Sequence, residues 1–238
     1  MRALALVTFL LASPATADVA DVVNDHILPR FGAFATQTAA LSDAAQTDCT
    51  AEALRPAYQE AFDAWIGISH LLFGPLETDG RNLSIAFWPD TRGMTVRTVA
   101  DLITSEDPAV SDPDAFAEVS IAGRGLFALE RVLYDPDMSG YGSDSYTCQL
   151  AQALASDLAR TGASLDTDWA QYQTLLLTAG DDGNTAYLTE GEALQELYTA
   201  LMTGLEFTKD QRLGRPLGTF DRPRPTRAEA WRSGRPLR

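Results

Sequence analysis

Apolar residues recur along this chain at helical spacing and almost nowhere alternate, so the pattern predicts helices rather than strands. From Asp21 to Leu41 the positions Val22, Val23, Ile27, Phe31, Phe34 and Leu41 mark a first helix, with Pro29 as a kink or a helix start. Ala51 to Phe73 carries Tyr58, Phe62, Trp65, Ile66 and Leu72, and Gly74-Pro75 closes it. Leu83 to Asp90 reads LSIAFWPD; it is apolar but short, and Pro89 unsuits it for a central strand, so it reads as a buried connector. Further helices are predicted at Thr95–Thr104, Asp114–Tyr134 and Ser145–Leu165, the last with Leu150, Leu154, Leu158 and Leu165 on one face. Trp169, Tyr172, Leu175 and Leu176 continue it or begin another. Thr189-Glu190-Gly191-Glu192 is a capping box that opens a helix carrying Leu194, Leu197, Leu201 and Leu205. The fold class that follows is all-α, a helical bundle.

The ends behave differently from the body. Met1-Arg2, the apolar stretch Ala3–Ala12 and the site Ala15-Thr16-Ala17 form a signal peptide over 1–17, too short to span a bilayer. The mature chain is then expected to start at Asp18, without the cysteine a lipid anchor needs, and to be periplasmic and not membrane-spanning. The segment 214–238 is rich in Arg, Pro and Gly, as a connector or tail is, and is expected to be poorly packed. Within it Thr226-Arg227-Ala228-Glu229 is a second capping box, yet Pro236 interrupts the two turns that remain. The domain organisation expected is 1–17, 18–213 and 214–238.

Charge narrows the partners. The formal net charge is -15, and 9 of the 18 basic residues fall between Lys209 and Arg238, so the body is strongly acidic. Such a surface repels nucleic acid, and the arginines of the tail are interleaved with Pro and Gly rather than clustered on a helical face. Cys49 and Cys148 are the only cysteines, and neither has a CxxC or CxxH neighbour. In an exported protein they are expected to form a disulfide rather than a metal site.

Four pieces, HILPRF, WIGISHLLFGP, IAFWPD and GRGLFALERVLYD, resemble in their order and spacing the imelysin-like family. That family is named for a proposed peptidase and includes periplasmic proteins associated with bacterial iron uptake. RLGRPLG and AEAWRSGR resemble its connector between two helical halves, which leaves open whether this chain holds only the first half. The resemblance implies a GxHxxE motif on a helix, where His and Glu three residues apart reach one metal ion. Here the motif positions are Gly125, Phe127 and Glu130, so phenylalanine stands where the histidine belongs.

A zinc peptidase uses three protein ligands and an open water position, and besides carboxylates the chain offers only His26 and His70. Glu130, His70 and His26 are therefore the metal candidates, for iron or zinc. Each also has a structural reading. Glu130 would be a buried carboxylate paired with Arg124, Arg131 or Arg81. His70 would be a hydrogen-bonded core histidine, and His26 would face solvent. The aromatics Phe62, Trp65, Phe73, Phe87 and Trp88 read as core. No phosphate loop, GxSxG, HExxH or calcium loop is present.

Three functions remain in view. The first is a non-catalytic binding or accessory protein in iron or metal acquisition, partnered by iron-uptake components of the cell envelope. The second is an imelysin-type metallopeptidase using His70 or His26 with Glu130. The third is a structural or interaction remnant without a second helical half.

Overall fold

The computed structural model describes residues 18–234, and over them the chain is a bundle of helices with one isolated bridge between Thr219 and Arg222 and no strand. The first helix, α1 (19–47), opens with Asp18 in a reciprocal capping box with Asp21. A wider π-helical turn, Val23–Ile27, precedes the regular stretch Leu28–Thr47, so Pro29 falls in the first turn of that stretch. A missing N–H is tolerated there. α2 (Ala51–Ile68) stops short of the predicted Phe73, although Leu71 and Phe73 remain buried in the turn that follows.

The connector read from LSIAFWPD is partly helical. α3 (Arg81–Ile85) takes its first half, and Ala86–Asp90 runs extended through a cis Trp88–Pro89 bond. α4 (Met94–Ser105) follows as predicted. The single helix expected over Asp114–Tyr134 is broken into α5 (Pro113–Ala117), a 3-10 turn Ile121–Gly123 and α6 (Gly125–Tyr134). The break is physical: Arg124 is extended and Gly125 sits at φ +72. A Cβ on Gly125 would lie 2.3 Å from the carbonyl oxygens of Ser84 and Ile85. Only glycine lets α6 start that close to the end of α3.

α7 (Tyr146–Leu177) is one uninterrupted helix of 32 residues, about 48 Å at 1.5 Å per residue. It forms the axis of the molecule: α1 packs along it and against α2, and α6 packs on both α2 and α7. Leu150, Leu154, Leu158 and Leu165 are all buried, and Phe31 of α1 stacks on Trp169 of α7 with ring centroids 4.9 Å apart. Each such large side chain removed from water contributes about 1.5–3 kcal/mol. Arg124, at the start of α6, holds Asp157 of α7 through Nε and Nη2, both at 3.0 Å. Asp157 is buried, so the paired geometry offsets its desolvation.

α8 (Glu190–Phe207) starts at the predicted cap, Thr189 accepting from the Glu192 amide. Its inward side is Ala193, Leu197 and Ala200, whereas Leu194, Tyr198, Leu201 and Leu205 are exposed. The helix continues through a π turn, Thr208–Leu213, into Gly214–Leu217. Cys49, just before α2, is bonded to Cys148 in the first turn of α7, with Cα atoms 5.3 Å apart, as expected. Among the described residues no helix is long and apolar enough to cross a membrane. The proposed signal peptide, 1–17, lies outside the described residues.

The tail departs from expectation. Residues 218–227 are exposed, but Ala228, Glu229 and Ala230 are buried against the bundle. The second capping box opens no helix. A 3-10 turn, Pro225–Arg227, takes its place, and the Glu229 carboxylate goes to Arg212 instead of to the Thr226 amide. A buried ion pair outcompetes one cap bond for a helix too short to nucleate.

Candidate functional site

α6 carries the motif positions in its first two turns, and its residues 125–130 are all buried. Phe127 points at α2 and the connector. Its ring meets Phe62 edge-on at 6.0 Å and lies nearly parallel to Trp88 at 6.4 Å. The ligand position is thus filled by an aromatic packed among aromatics, which has no lone pair to offer a metal.

Glu130, one turn further, is 2% exposed. Its Oε1 accepts a hydrogen bond from the backbone N–H of Ser233 at 3.0 Å. Burial pushes the Glu130 carboxyl upward, opposed by the Ser233 hydrogen bonding and by the charges of Arg232 and Arg131. The arginines proposed as partners are engaged elsewhere: Arg124 with Asp157, Arg81 with Asp168, and Arg131 with Asp135 at 2.8 Å. Among the described residues Glu130 makes no ion pair within 4.0 Å; a backbone amide of the tail takes that place.

The tail is fastened at three points. The Ser233 carbonyl accepts from Gln59 Nε2 at 3.0 Å, and the same amide nitrogen donates to the Tyr134 hydroxyl at 2.7 Å. Arg232 approaches Asp135 at 3.6 Å. Glu229 receives Arg212 Nε at 2.5 Å, while Arg212 Nη2 donates to Ser69 Oγ at 2.8 Å. Burial raises the Glu229 carboxyl, with the Arg212 charge working against it.

The histidines meet each other rather than Glu130 in a ligand set. His26 of α1 and His70, just after α2, place their Nε2 atoms 3.1 Å apart, and both are half-buried. His26 is therefore not free in solvent, and the hydrogen bond expected of His70 is made to a second imidazole. The Cβ of His70 sits where a side chain on Gly204 would go, 2.6 Å from its would-be Cβ, so α8 seals this corner. Burial, then the charges of His26, Arg212 and Arg30, lower His70 to about 4. Burial and Arg30 also lower His26. Among the described residues no group of three or more His, Cys, Asp or Glu side chains could hold a metal ion.

Two cavities flank Trp88. A cleft of about 570 Å³ is bordered by Phe127 and Glu130 from α6, Trp88 and Asp90 from the connector, and the tail. A smaller one of about 140 Å³ is bordered by His70, Trp88, Gly204 and Glu229. His70 and Glu130 thus open onto different spaces, and His26 borders neither. Sequence reasoning missed the wall of the larger cleft that Arg215, Arg227 and Arg232 supply. The only hint was the charge imbalance of the C-terminal segment.

The chain as a whole resembles known proteins. Iron-regulated protein A of Synechococcus elongatus is 26% identical over 225 residues, covering 88% of this chain and 56% of that protein. An imelysin-like protein from Psychrobacter arcticum superposes with a TM-score of 0.72 at 27% identity, covering 84% of this chain and 62% of that one. This chain therefore spans little more than half the length of these relatives. The family model described as Imelysin matches residues 27–238, and the chain belongs to the imelysin family.

Proposed function

We propose that this chain is a non-catalytic binding or accessory protein of the periplasm, working in iron or other metal acquisition alongside iron-uptake components of the cell envelope. The observation that carries the reading is the pairing of Phe127 at the motif's ligand position with a Glu130 carboxylate occupied by the Ser233 amide. A catalytic zinc asks for three ligands and a water, and the cleft beside Glu130 adds no histidine or cysteine among the described residues, its other carboxylate, Asp90, being turned onto backbone N–H groups. The iron-regulated name of the cyanobacterial relative supports the iron context. The disulfide fits an oxidising compartment. In this reading 1–17 is a cleaved signal peptide, 18–213 the helical domain and 214–238 a connector, held to the bundle through Glu229 and Ser233.

Metal analysis of protein purified from the periplasm, with a protease assay run with and without chelator, tests the non-catalytic part. We expect no stoichiometric zinc and no chelator-sensitive cleavage. Stoichiometric zinc lost on Glu130→Ala, together with cleavage, would establish the metallopeptidase instead. Deleting the gene should slow growth under iron limitation only; equal growth would remove the iron role and favour a structural remnant.

A further inference from the structure

The larger cleft is an arginine-rich place on an acidic protein. The chain carries a net charge of -15, yet Arg131, Arg215, Arg227 and Arg232 all border this one space. Its acidic side chains are committed to the protein. Asp90 turns its oxygens onto the backbone N–H groups of Arg92, Met94 and Thr95, at 3.2, 3.0 and 2.8 Å. Glu130 is occupied by Ser233, and burial favours its neutral form. Asp135 serves both Arg131 and Arg232.

That leaves Arg215 and Arg227 with no carboxylate within 4.0 Å among the described residues. Arg215 is the telling one. Its Nε is buried without an acceptor, its Nη1 reaches only Gln211 Oε1 at 3.5 Å, and its guanidinium stands 6.0 Å above the Trp88 ring. A buried donor without an acceptor is costly, and more so when it is charged. Arg215 Nη2 makes no hydrogen bond among the described residues, so the terminal end of the fork, rather than the buried Nε, is what an acceptor arriving in the cleft would meet. A guanidinium fork matches a carboxylate in geometry and charge. The indoles of Trp88 and Trp231, which both border the cleft, offer flat apolar surface.

We propose that this cleft binds a small organic carboxylate with a planar apolar body, its carboxylate held by Arg215 and Arg227 and its body lying against Trp88. The proposal rests on the reading of the cleft as a binding rather than a cleaving site. The acidic body works against large polyanions, which keeps the ligand small. Since Arg215 and Arg227 come from the C-terminal segment and Trp88 from the connector, a bound carboxylate would tie the two together.

The test is a titration of the mature chain with benzoate, its neutral amide benzamide, and inorganic phosphate, followed by calorimetry and tryptophan fluorescence. We expect saturable one-to-one binding of benzoate, at least ten-fold tighter than that of benzamide or phosphate. Arg215→Met, which keeps the apolar stem, should weaken benzoate at least ten-fold while leaving the melting temperature unchanged or higher. Arg97→Met, outside the cleft, should bind as the natural protein does. No binding of benzoate, equal binding of benzamide or phosphate, or an unchanged affinity in Arg215→Met would each overturn the proposal. Zinc-dependent cleavage in the metal and protease assays would sink the non-catalytic function without altering this titration, so the two failures are distinguishable.

Discussion

The backbone N–H of Ser233 donates to Glu130 Oε1 at 3.0 Å, across 103 residues of sequence. The carboxylate that a metal site would need is thereby a structural acceptor that fastens the tail to α6. Removing the acceptor leaves a partly buried amide unsatisfied, at up to about 1–3 kcal/mol. Glu130→Ala should therefore lower stability by about that amount, read from denaturant midpoints, with no change in bound metal. Glu130→Gln keeps an acceptor oxygen and sheds a charge that burial disfavours, so its loss should be smaller. Equal stability of the alanine variant and the natural protein would show that the amide does not depend on Glu130.

Arg212 and Glu229 form the second fastening, with both side chains largely buried. Breaking such a pair from one side strands a charge, at about 3–5 kcal/mol. Arg212→Ala should destabilise on that scale, and ending the chain at Leu213 should remove Glu229, Ala230 and Ser233 together and cost at least as much. Thermal unfolding and limited proteolysis of the two variants check this. A truncated chain as stable and protease-resistant as the natural one would mean the tail is only loosely attached.

The histidine pair gives stability a pH dependence of definite sign. His70 is lowered to about 4 from its ordinary 6.5, by burial first and then by His26, Arg212 and Arg30. The unfolded chain takes up its proton earlier, so this contribution is fully present above pH 6.5 and is lost as pH falls toward 4. Glu130 and Glu229, raised by burial, act oppositely: above the ordinary glutamate value the folded state holds their protons more tightly, so acidification favours folding through them. Single substitutions separate the two. His70→Gln should flatten the fall in melting temperature between pH 7 and 4, while Glu130→Gln should steepen it. A His70→Gln profile parallel to the natural one would mean that His70 is not protonated differently in the two states.

What was legible in the sequence followed from local spacing and from the family resemblance. Apolar periodicity located most of the helices, the Thr189 box placed the start of α8, and the family resemblance set Phe127 and Glu130 at the positions of a helical motif, where a separation of three puts them on one face. The break before α6 was not legible because it depends on Gly125 at positive φ against the carbonyls of Ser84 and Ile85, a tertiary contact. The partner of Glu130 was missed for a similar reason. Arg124, Arg131 and Arg81 were the candidates, but Asp157, Asp135 and Asp168 had already claimed them. A backbone amide also carries no side-chain signature. The capping box at Thr226 misled because Arg212, folded back from 17 residues earlier, competed for its glutamate.

The disulfide supplies the last prediction. Cys49 and Cys148 are 99 residues apart, and the bond joins the start of α2 to the start of α7. Closing a loop of that length removes conformations from the unfolded chain, worth about 4–5 kcal/mol in the chain-entropy account. The contacts of the folded state change little, since both sulfurs are already packed where α2 and α7 begin. Replacing both cysteines by alanine should therefore lower the unfolding free energy by several kcal/mol, somewhat less than the entropic figure because a real unfolded chain is partly compact. The α-helical circular dichroism of the folded protein should be unchanged. Thiol titration of the unfolded, unreduced natural protein should find no free thiol. Two free thiols, or a double variant as stable as the natural protein, would show that the bond does not stabilise the fold.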